Sequence, residues 1–423
     1  MATWTTEVFE NEYLPAGATD VHAIVSVACT GAGSAGQGGG GAAEIIVVDT
    51  SGSMGSPRSK IVAARAAADA AIDEIVDGTW FAVISGSHRA AACYPSRGGM
   101  TVADEASRSS AKEAVKHLVP EGGTAIGSWL QAAEELFRET DAPQRHAILL
   151  TDGKNESEEP GALELAIQSA TGVFQCDCRG VGEDWVVQEL RDISSALLGT
   201  VDLIAEPEHM PEDFRQMMRT SMARGVADAQ LRVWAPQGAE LLFVRQVAPN
   251  IEDLSARAVA VSELVRDYPT GSWGDEARDY HVAVRVPAKD LGSEQLAARV
   301  QMLVGGEVVG QGLVRATWSD DSTLTTRINP AVAHYTGQAE LADVIQEGLA
   351  AKAEGDDATA TLKLGRAAQL AAETGNEEAT NKLRRVVEIT DAESGTVKLK
   401  RDASKLDEMA LDTTSTKTTR VRK

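Results

Sequence analysis

This sequence is short of positive charge relative to negative. Its 423 residues carry 40 Lys and Arg against 63 Asp and Glu, a formal net charge of -23. A chain that seeks phosphates is usually basic, so non-specific nucleic-acid binding is excluded as an expectation. The acidity instead favours cations or basic partner surfaces. Four cysteines, Cys29, Cys93, Cys176 and Cys178, are too few for a disulfide scaffold. Cys176 and Cys178 lie two apart in FQCDC and would share a strand face. They lack the CxxC spacing or nearby histidines of a metal or redox pair, so buried free thiols are expected. No run of 18 apolar residues occurs, and no membrane span is expected. The start, MATWTTEVFENEYLP, has acids where a signal peptide needs a basic head and an apolar run, which makes the cytoplasm the default compartment. Aromatics are only 4%, yet 43% of residues are hydrophobic, which is a globular composition. The length suits roughly two to four domains with real cores.

The pattern along the chain changes character three times. Residues Val21 to Ala28 suit a strand. Gly31 to Gly41 is an uncharged Gly/Ala/Ser/Gln tract without the GK[ST] ending of a phosphate loop, and it reads as a flexible linker. Residues 1–43 therefore form N-terminal strands and a linker. Within 44–206, short continuous apolar runs alternate with helical stretches. The runs EIIVVD, WFAVIS and AILLT are strands buried on both faces. Ala90 to Tyr94 reads as an antiparallel edge strand. Pro57 to Val76, Val102 to Leu118, Ala125 to Glu139, Leu163 to Ala170 and Asp184 to Ala196 read as helices. This alternation predicts an α/β fold, a doubly wound and mostly parallel sheet with helices on both faces. Residues 207–226 read as a connecting helix. Residues 227–326 carry short apolar runs split by Pro, Gly and Asp, a β-sandwich signature. Residues 331–412 read as a helical bundle with helices His334 to Glu354, Ala358 to Thr374 and Glu377 to Glu388. The tail 413–423 is polar, ends on basic residues, and is expected to be disordered.

The chemistry-bearing residues stand at strand ends. Asp49 closes the first apolar strand in IIVVDTSGSMG, with Ser51 and Ser53 at alternate positions after it. Thr124 lies in EGGTAIG, just before a helix. Asp152 ends another buried strand in LLTDGKNE. In open α/β sheets ligands sit at this edge, so the fold can gather the three loops. All five side chains are oxygen donors, and hard oxygens suit Mg²⁺, Mn²⁺ or Ca²⁺. Two carboxylates and three hydroxyls bring little negative charge, which leaves the cation electrophilic and able to accept a carboxylate from outside.

The order Asp49-x-Ser51-x-Ser53, then Thr124 in GGT, then Asp152 in TDG resembles the metal-ion-dependent adhesion site (MIDAS) of the von Willebrand factor A (VWA) family, with no departure at the five positions. The resemblance implies that the serines and the threonine coordinate a divalent ion directly, and that the two aspartates act directly or through water. It also implies a layout known from intracellular and bacterial relatives, a VWA domain followed by a β-sandwich and helices. In some of these a preceding strand completes the sandwich, so that Glu7 to Ala28 would pair within Leu231 to Trp318 and the VWA domain would be an insertion.

Competing readings fail on spacing. A nucleophile elbow needs G-x-S-x-G, and Ser51 stands where Ser53 would need a glycine. An S-x-x-K pair fails because Pro57 lies three before Lys60. A phosphorylated aspartate of the D-x-D type fails because Ser51 occupies the second acid's place. His22, His88, His117, His146, His209, His281 and His334 are scattered without HxH or HExxH spacing. His146, nearest to Asp152, reads as a surface or strand-start histidine. Glu156, Glu158 and Glu159 read as a solvated acidic loop. Trp129 and Trp185 fall in helical stretches and read as packing residues. The sequence thus predicts a non-enzymatic, divalent-metal-dependent module that binds a partner's Asp or Glu, with no nucleic-acid or membrane ligand. The alternative is an adaptor subunit for a separate AAA+ ATPase of the metal-insertion or cofactor-maturation type, since the chain has no Walker motif. A signalling protein is the other class of partner.

Overall fold

The computed structural model describes residues 2–35, 41–418 and 420. It divides into two compact units. The first holds 31–228 with 271–274, and the second holds 2–30, 229–270 and 275–423.

The first unit is an α/β layer structure. Its sheet runs in the order Val201–Ile204, Gln175–Val181, Gln144–Thr151, Ala42–Asp49, Trp80–Gly86 and Ala90–Tyr94. The first five pair in parallel, and only the edge strand Ala90–Tyr94 and the short Thr101–Val102 run antiparallel. Ala42–Asp49 is buried at every position, as a strand covered on both faces must be. From this strand the chain winds first towards Trp80–Gly86 and later towards Gln144–Thr151 on its other side. The winding reverses between the strands that end at Asp49 and Thr151, and the carboxyl ends of these strands are where open α/β sheets place a ligand crevice.

Small side chains set the helix packing. Ser59–Glu74 buries Ile61, Ala64, Ala67, Ala68 and Ala71, spaced three and four apart. These join one core with Met210, Phe214, Met217, Met218 and Met222. The helix expected merely to connect, Met210–Met222, is therefore an integral part of this unit. The partner of its methionine face is the alanine face some 150 residues earlier, which no local pattern in the sequence links to it. Gly86 shows why one strand end needs glycine. A Cβ there would lie 2.5 Å from the indole of the fully buried Trp129. Trp129 and Trp185 both pack in the core, although Trp185 precedes its helix, Val187–Ala196, rather than lying in it. Cys176 and Cys178 are buried free thiols.

The second unit has two antiparallel sheets and a helical region. Thr3–Glu10, Asp20–Thr30, Ala277–Arg285, Glu240–Ala248 and Glu252–Asp253 form one sheet. Val259–Ser262, Val265–Trp273, Val226–Trp234, Glu294–Val304, Glu307–Trp318 and Tyr13–Leu14 form the other, in which Tyr13–Leu14 pairs in parallel with Glu307–Trp318. Asp20–Thr30 pairs with Ala277–Arg285 from Asp20 opposite Arg285 to Ala28 opposite Ala277. The α/β unit is accordingly inserted between strands of one sheet. Of the Gly-rich tract expected to be a flexible linker, residues 36–40 lie outside the described residues. Ala35 is buried, and its N–H donates to the Met222 carbonyl at 2.8 Å.

The helices Pro330–Ala353, Asp357–Glu373, Glu377–Val386 and Lys405–Thr414 begin at side-chain caps from Asn329, Asp356, Asn376 and Ser404. Leu341, Ile345, Leu364, Leu383 and Leu411 share their core. Two expectations need correction here. The bundle contains a β-hairpin, Val387–Asp391 with Thr396–Leu399, whose β-branched VVEIT segment leaves the helix at Val386. The described residues of the tail, 413–418 and 420, are docked rather than disordered. Thr413 and Thr414 are buried at a helix end, and the Thr418 hydroxyl donates to the Val247 carbonyl at 2.5 Å. Arg420 pairs with Asp279 at 2.6 Å. Position 419 and positions 421–423 of that tail lie outside the described residues. Among the described residues, no helix is long and apolar enough to cross a membrane.

Candidate metal centre

The three loops expected to meet do meet at the crevice. Backbone bonds lace them together. Gly52 N–H donates to the Gly122 carbonyl at 2.9 Å, Glu121 N–H to the Thr50 carbonyl at 2.7 Å, and Ser157 N–H to the Thr124 carbonyl at 2.9 Å. The side chains then converge. Asp49 is fully buried; Oδ1 accepts from Ser51 N–H at 2.7 Å, and Oδ2 accepts from the Thr151 hydroxyl at 2.6 Å and Asp152 N–H at 3.3 Å. The Ser51 and Ser53 hydroxyls are 2.9 Å apart. The Ser53 hydroxyl donates to Asp152 Oδ1 at 2.6 Å. Thr124 is buried beside them. A Cβ on Gly153 would stand 2.9 Å from its Oγ1 and 3.5 Å from Ser53 Oγ, so glycine at 153 lets the backbone lie close against both hydroxyls.

The donor set fits a hard divalent ion. Every side chain in it is an oxygen donor, and no group of three His, Cys, Asp or Glu suited to a metal occurs among the described residues. A metal here depends on the hydroxyls as much as on the two acids. Burial pushes the Asp49 carboxyl up to about 6, against hydrogen bonds from Ser51 and Thr151, and the charge of Asp152 adds to the rise. A buried carboxylate answered only by neutral donors is a position at which a cation is favourable.

Three residues outside the expected five shape the site. Lys60, in the first turn of Ser59–Glu74, reaches Asp152 Oδ2 with its ammonium at 2.6 Å. The sequence offered no cue beyond a lysine eleven residues after Asp49. Asn155 and Glu158, from the loop after Asp152, cap the helix after Thr124. Asn155 Oδ1 accepts from Ile126 N–H at 2.8 Å, and Glu158 accepts from Gly127 N–H at 2.9 Å and Ser128 N–H at 3.3 Å. A carboxylate is stabilised at a helix N-terminus by the exposed N–H groups there. Glu158 is thus fixed in structure, unlike the solvated run expected, while Glu156 and Glu159 are exposed.

His146 stands near the start of its strand, as expected, but is buried rather than on the surface. It is buried in the strand Gln144–Thr151, between Glu44 and Asp177. Its Nδ1 lies 2.7 Å from Glu44 Oε2, and its Nε2 lies 2.9 Å from Asp177 Oδ2. Ser221 donates to Glu44 Oε1 at 2.6 Å, and the Thr200 hydroxyl donates to Asp177 Oδ1 at 2.6 Å. The strand register sets Glu44 beside His146, near the amino ends of the strands and away from Asp49. This cluster braces the sheet and takes no part in the metal centre.

Comparisons with known proteins agree with the geometry. Residues 45–154 match the von Willebrand factor type A domain, and residues 369–415 match the von Willebrand factor type A C-terminal domain. No curated protein matches the chain. Among solved structures, a von Willebrand factor type A protein from Catenulispora acidiphila is 48% identical over 99% of this chain and 97% of its own, with a TM-score of 0.93. The ArnB paralog VWA2 from Sulfolobus acidocaldarius is 15% identical over 98% of each chain, with a TM-score of 0.61. The human COPII-coat protein Sec24c is 10% identical over 89% of this chain and 57% of its own, with a TM-score of 0.56. These last two share the fold alone. Identity of 48% across nearly the whole length settles the relationship: the chain belongs to the von Willebrand factor type A family.

Proposed function

We propose that this protein is a divalent-metal-dependent protein-binding module that captures an acidic side chain of its partner. Domains of its family are often metal-dependent protein-interaction modules. The observation that carries the reading is the meeting of the three loops that bear Asp49, Ser51, Ser53, Thr124 and Asp152, with the Ser53 hydroxyl bonded to Ser51 and Asp152 and lying, like that of Thr124, close to Gly153. Mg²⁺ is the ion we assign, with Mn²⁺ or Ca²⁺ as substitutes, because the donors are hard oxygens and mostly neutral. Held by that set, the ion would offer an electrophilic position to a carboxylate from outside. The chain's own part is to hold the donors in place. The helix caps from Asn155 and Glu158 tie the Thr124 loop to the Asp152 loop, so the hydroxyls need little reordering on binding.

We read the hydroxyls as ligands rather than as nucleophiles. Ser51 and Ser53 bond to each other, and Ser53 bonds to a carboxylate whose other oxygen holds the Lys60 ammonium. A nucleophilic serine needs a free base aimed at its proton. We therefore read the protein as a non-enzyme.

Affinity capture from the source lysate, with 1:1 comparison in Mg²⁺ and in EDTA, tests the reading. Partners held in Mg²⁺ are released in EDTA, and Thr124→Ala bait fails to hold them. The same partners held equally in EDTA would contradict it. An AAA+ ATPase among the released partners would identify the adaptor role; a signalling protein would identify the other.

A further inference from the structure

We propose that Lys60 is a tethered cation that occupies the Asp152 side of the metal centre in the metal-free protein and must be displaced when a divalent ion binds. This inference rests on the metal-binding reading above and adds a residue that sets the affinity of that site. Asp152 is completely buried, and the Lys60 side chain is 12% exposed. One Asp152 oxygen holds the Lys60 ammonium at 2.6 Å; the other holds the Ser53 hydroxyl at 2.6 Å. Asp49, by contrast, is answered by neutral donors. The centre is thus half-neutralised from within, at the acid that a metal would share with Ser53.

Lys60 is well placed for exchange. It sits in the first turn of Ser59–Glu74, directly after the serine loop, so the backbone delivers it to the site at high effective concentration. Its four-carbon stem lets the ammonium swing out without moving the helix. A divalent ion within a few ångströms of a fixed ammonium is repelled strongly in a site screened from water. Displacement removes that repulsion, and the lysine's pull on Asp152 is the cost of binding. Two consequences follow. The acidic crevice stays stable when empty, and only an ion with more charge than the lysine opens it.

Isothermal titration of the full chain with MnCl₂ tests this, comparing the native protein with Lys60→Met, which keeps the length and removes the charge. We expect Lys60→Met to bind Mn²⁺ at least about tenfold more tightly and to melt at a lower temperature in EDTA, where Asp152 has lost its counter-charge. Native-like or weaker Mn²⁺ binding by a folded Lys60→Met overturns the role of Lys60 while leaving the metal site standing. Absence of Mn²⁺ binding by both proteins overturns the metal site and this inference with it. Should Lys60→Met fail to fold, ¹⁵N resonances of the lysine ammonium groups in the native chain decide. One protected ammonium in EDTA must lose its protection at saturating Mg²⁺, and its persistence unchanged overturns the inference.

Discussion

Thr124→Ala is expected to weaken the proposed divalent-ion binding by about a hundredfold or more in affinity, while the fold and its melting temperature in EDTA stay close to native. Thr124 is buried, and its hydroxyl lies, like that of Ser53, close to Gly153. A hard cation stripped of water needs about six oxygens, and losing one from a rigid set is not made good by a neighbour. The substitution removes a hydroxyl and a methyl at a loop whose position is set by backbone bonds, Ser157 N–H to the Thr124 carbonyl and Ala125 N–H to the Ser87 carbonyl, and these survive the change. Titration with Mn²⁺ followed by calorimetry measures it. Native-like Mn²⁺ affinity in Thr124→Ala would remove the threonine from the site.

His146→Gln has the largest expected effect on stability. It leaves two buried carboxylates, Glu44 and Asp177, without the cation between them, and breaking such a pair costs about 3–5 kcal/mol. The pH dependence is specific. Burial alone would lower the His146 pKa, but the charges and hydrogen bonds of Glu44 and Asp177 outweigh it and raise it to about 9. Asp177, whose burial would raise it, is held well below the usual carboxylate range by its hydrogen bond from His146. A histidine with a raised pKa stabilises the fold fully below its unfolded value of 6.5 and loses that stabilisation as pH rises through about 9. The rise corresponds to about 3 kcal/mol. Asp177 contributes in the opposite sense, and its share is lost only in strong acid. Denaturant unfolding of both proteins from pH 6 to pH 10 checks this. The gap between native and His146→Gln narrows with rising pH by that amount; a constant gap would mean that His146 is neutral in the folded protein.

The difference between these two sites explains what the sequence made legible. Asp49, Thr124 and Asp152 each follow a recognisable local pattern, an apolar strand end or a glycine turn before a helix, and a parallel sheet brings such ends to one edge. Local pattern was enough to place them. Glu44, His146 and Asp177 lie at the starts of three strands, and only the register makes them neighbours. Their one cue was polarity inside strands otherwise apolar, and a single polar residue at a strand start is ordinary. Lys60 was invisible for a different reason. A lysine in the first turn of a helix reads as solvated until the side chain is seen to turn back towards Asp152. The α/β unit and the β-sheets were legible because their periodicities differ clearly. The hairpin after Val386 and the docked tail were not, because short strands and polar ends take their structure from distant contacts, such as Thr418 with Val247 and Arg420 with Asp279.

The central claim is that one divalent ion binds among five oxygen side chains from three loops. A crystal of the protein grown with MnCl₂, with data collected at the manganese absorption edge, tests it most directly. The account predicts a single strong anomalous peak bonded to Ser51, Ser53 and Thr124 hydroxyls, with Asp49 and Asp152 bonded directly or through water. An empty crevice at saturating Mn²⁺, with the Lys60–Asp152 pair unbroken, would contradict it.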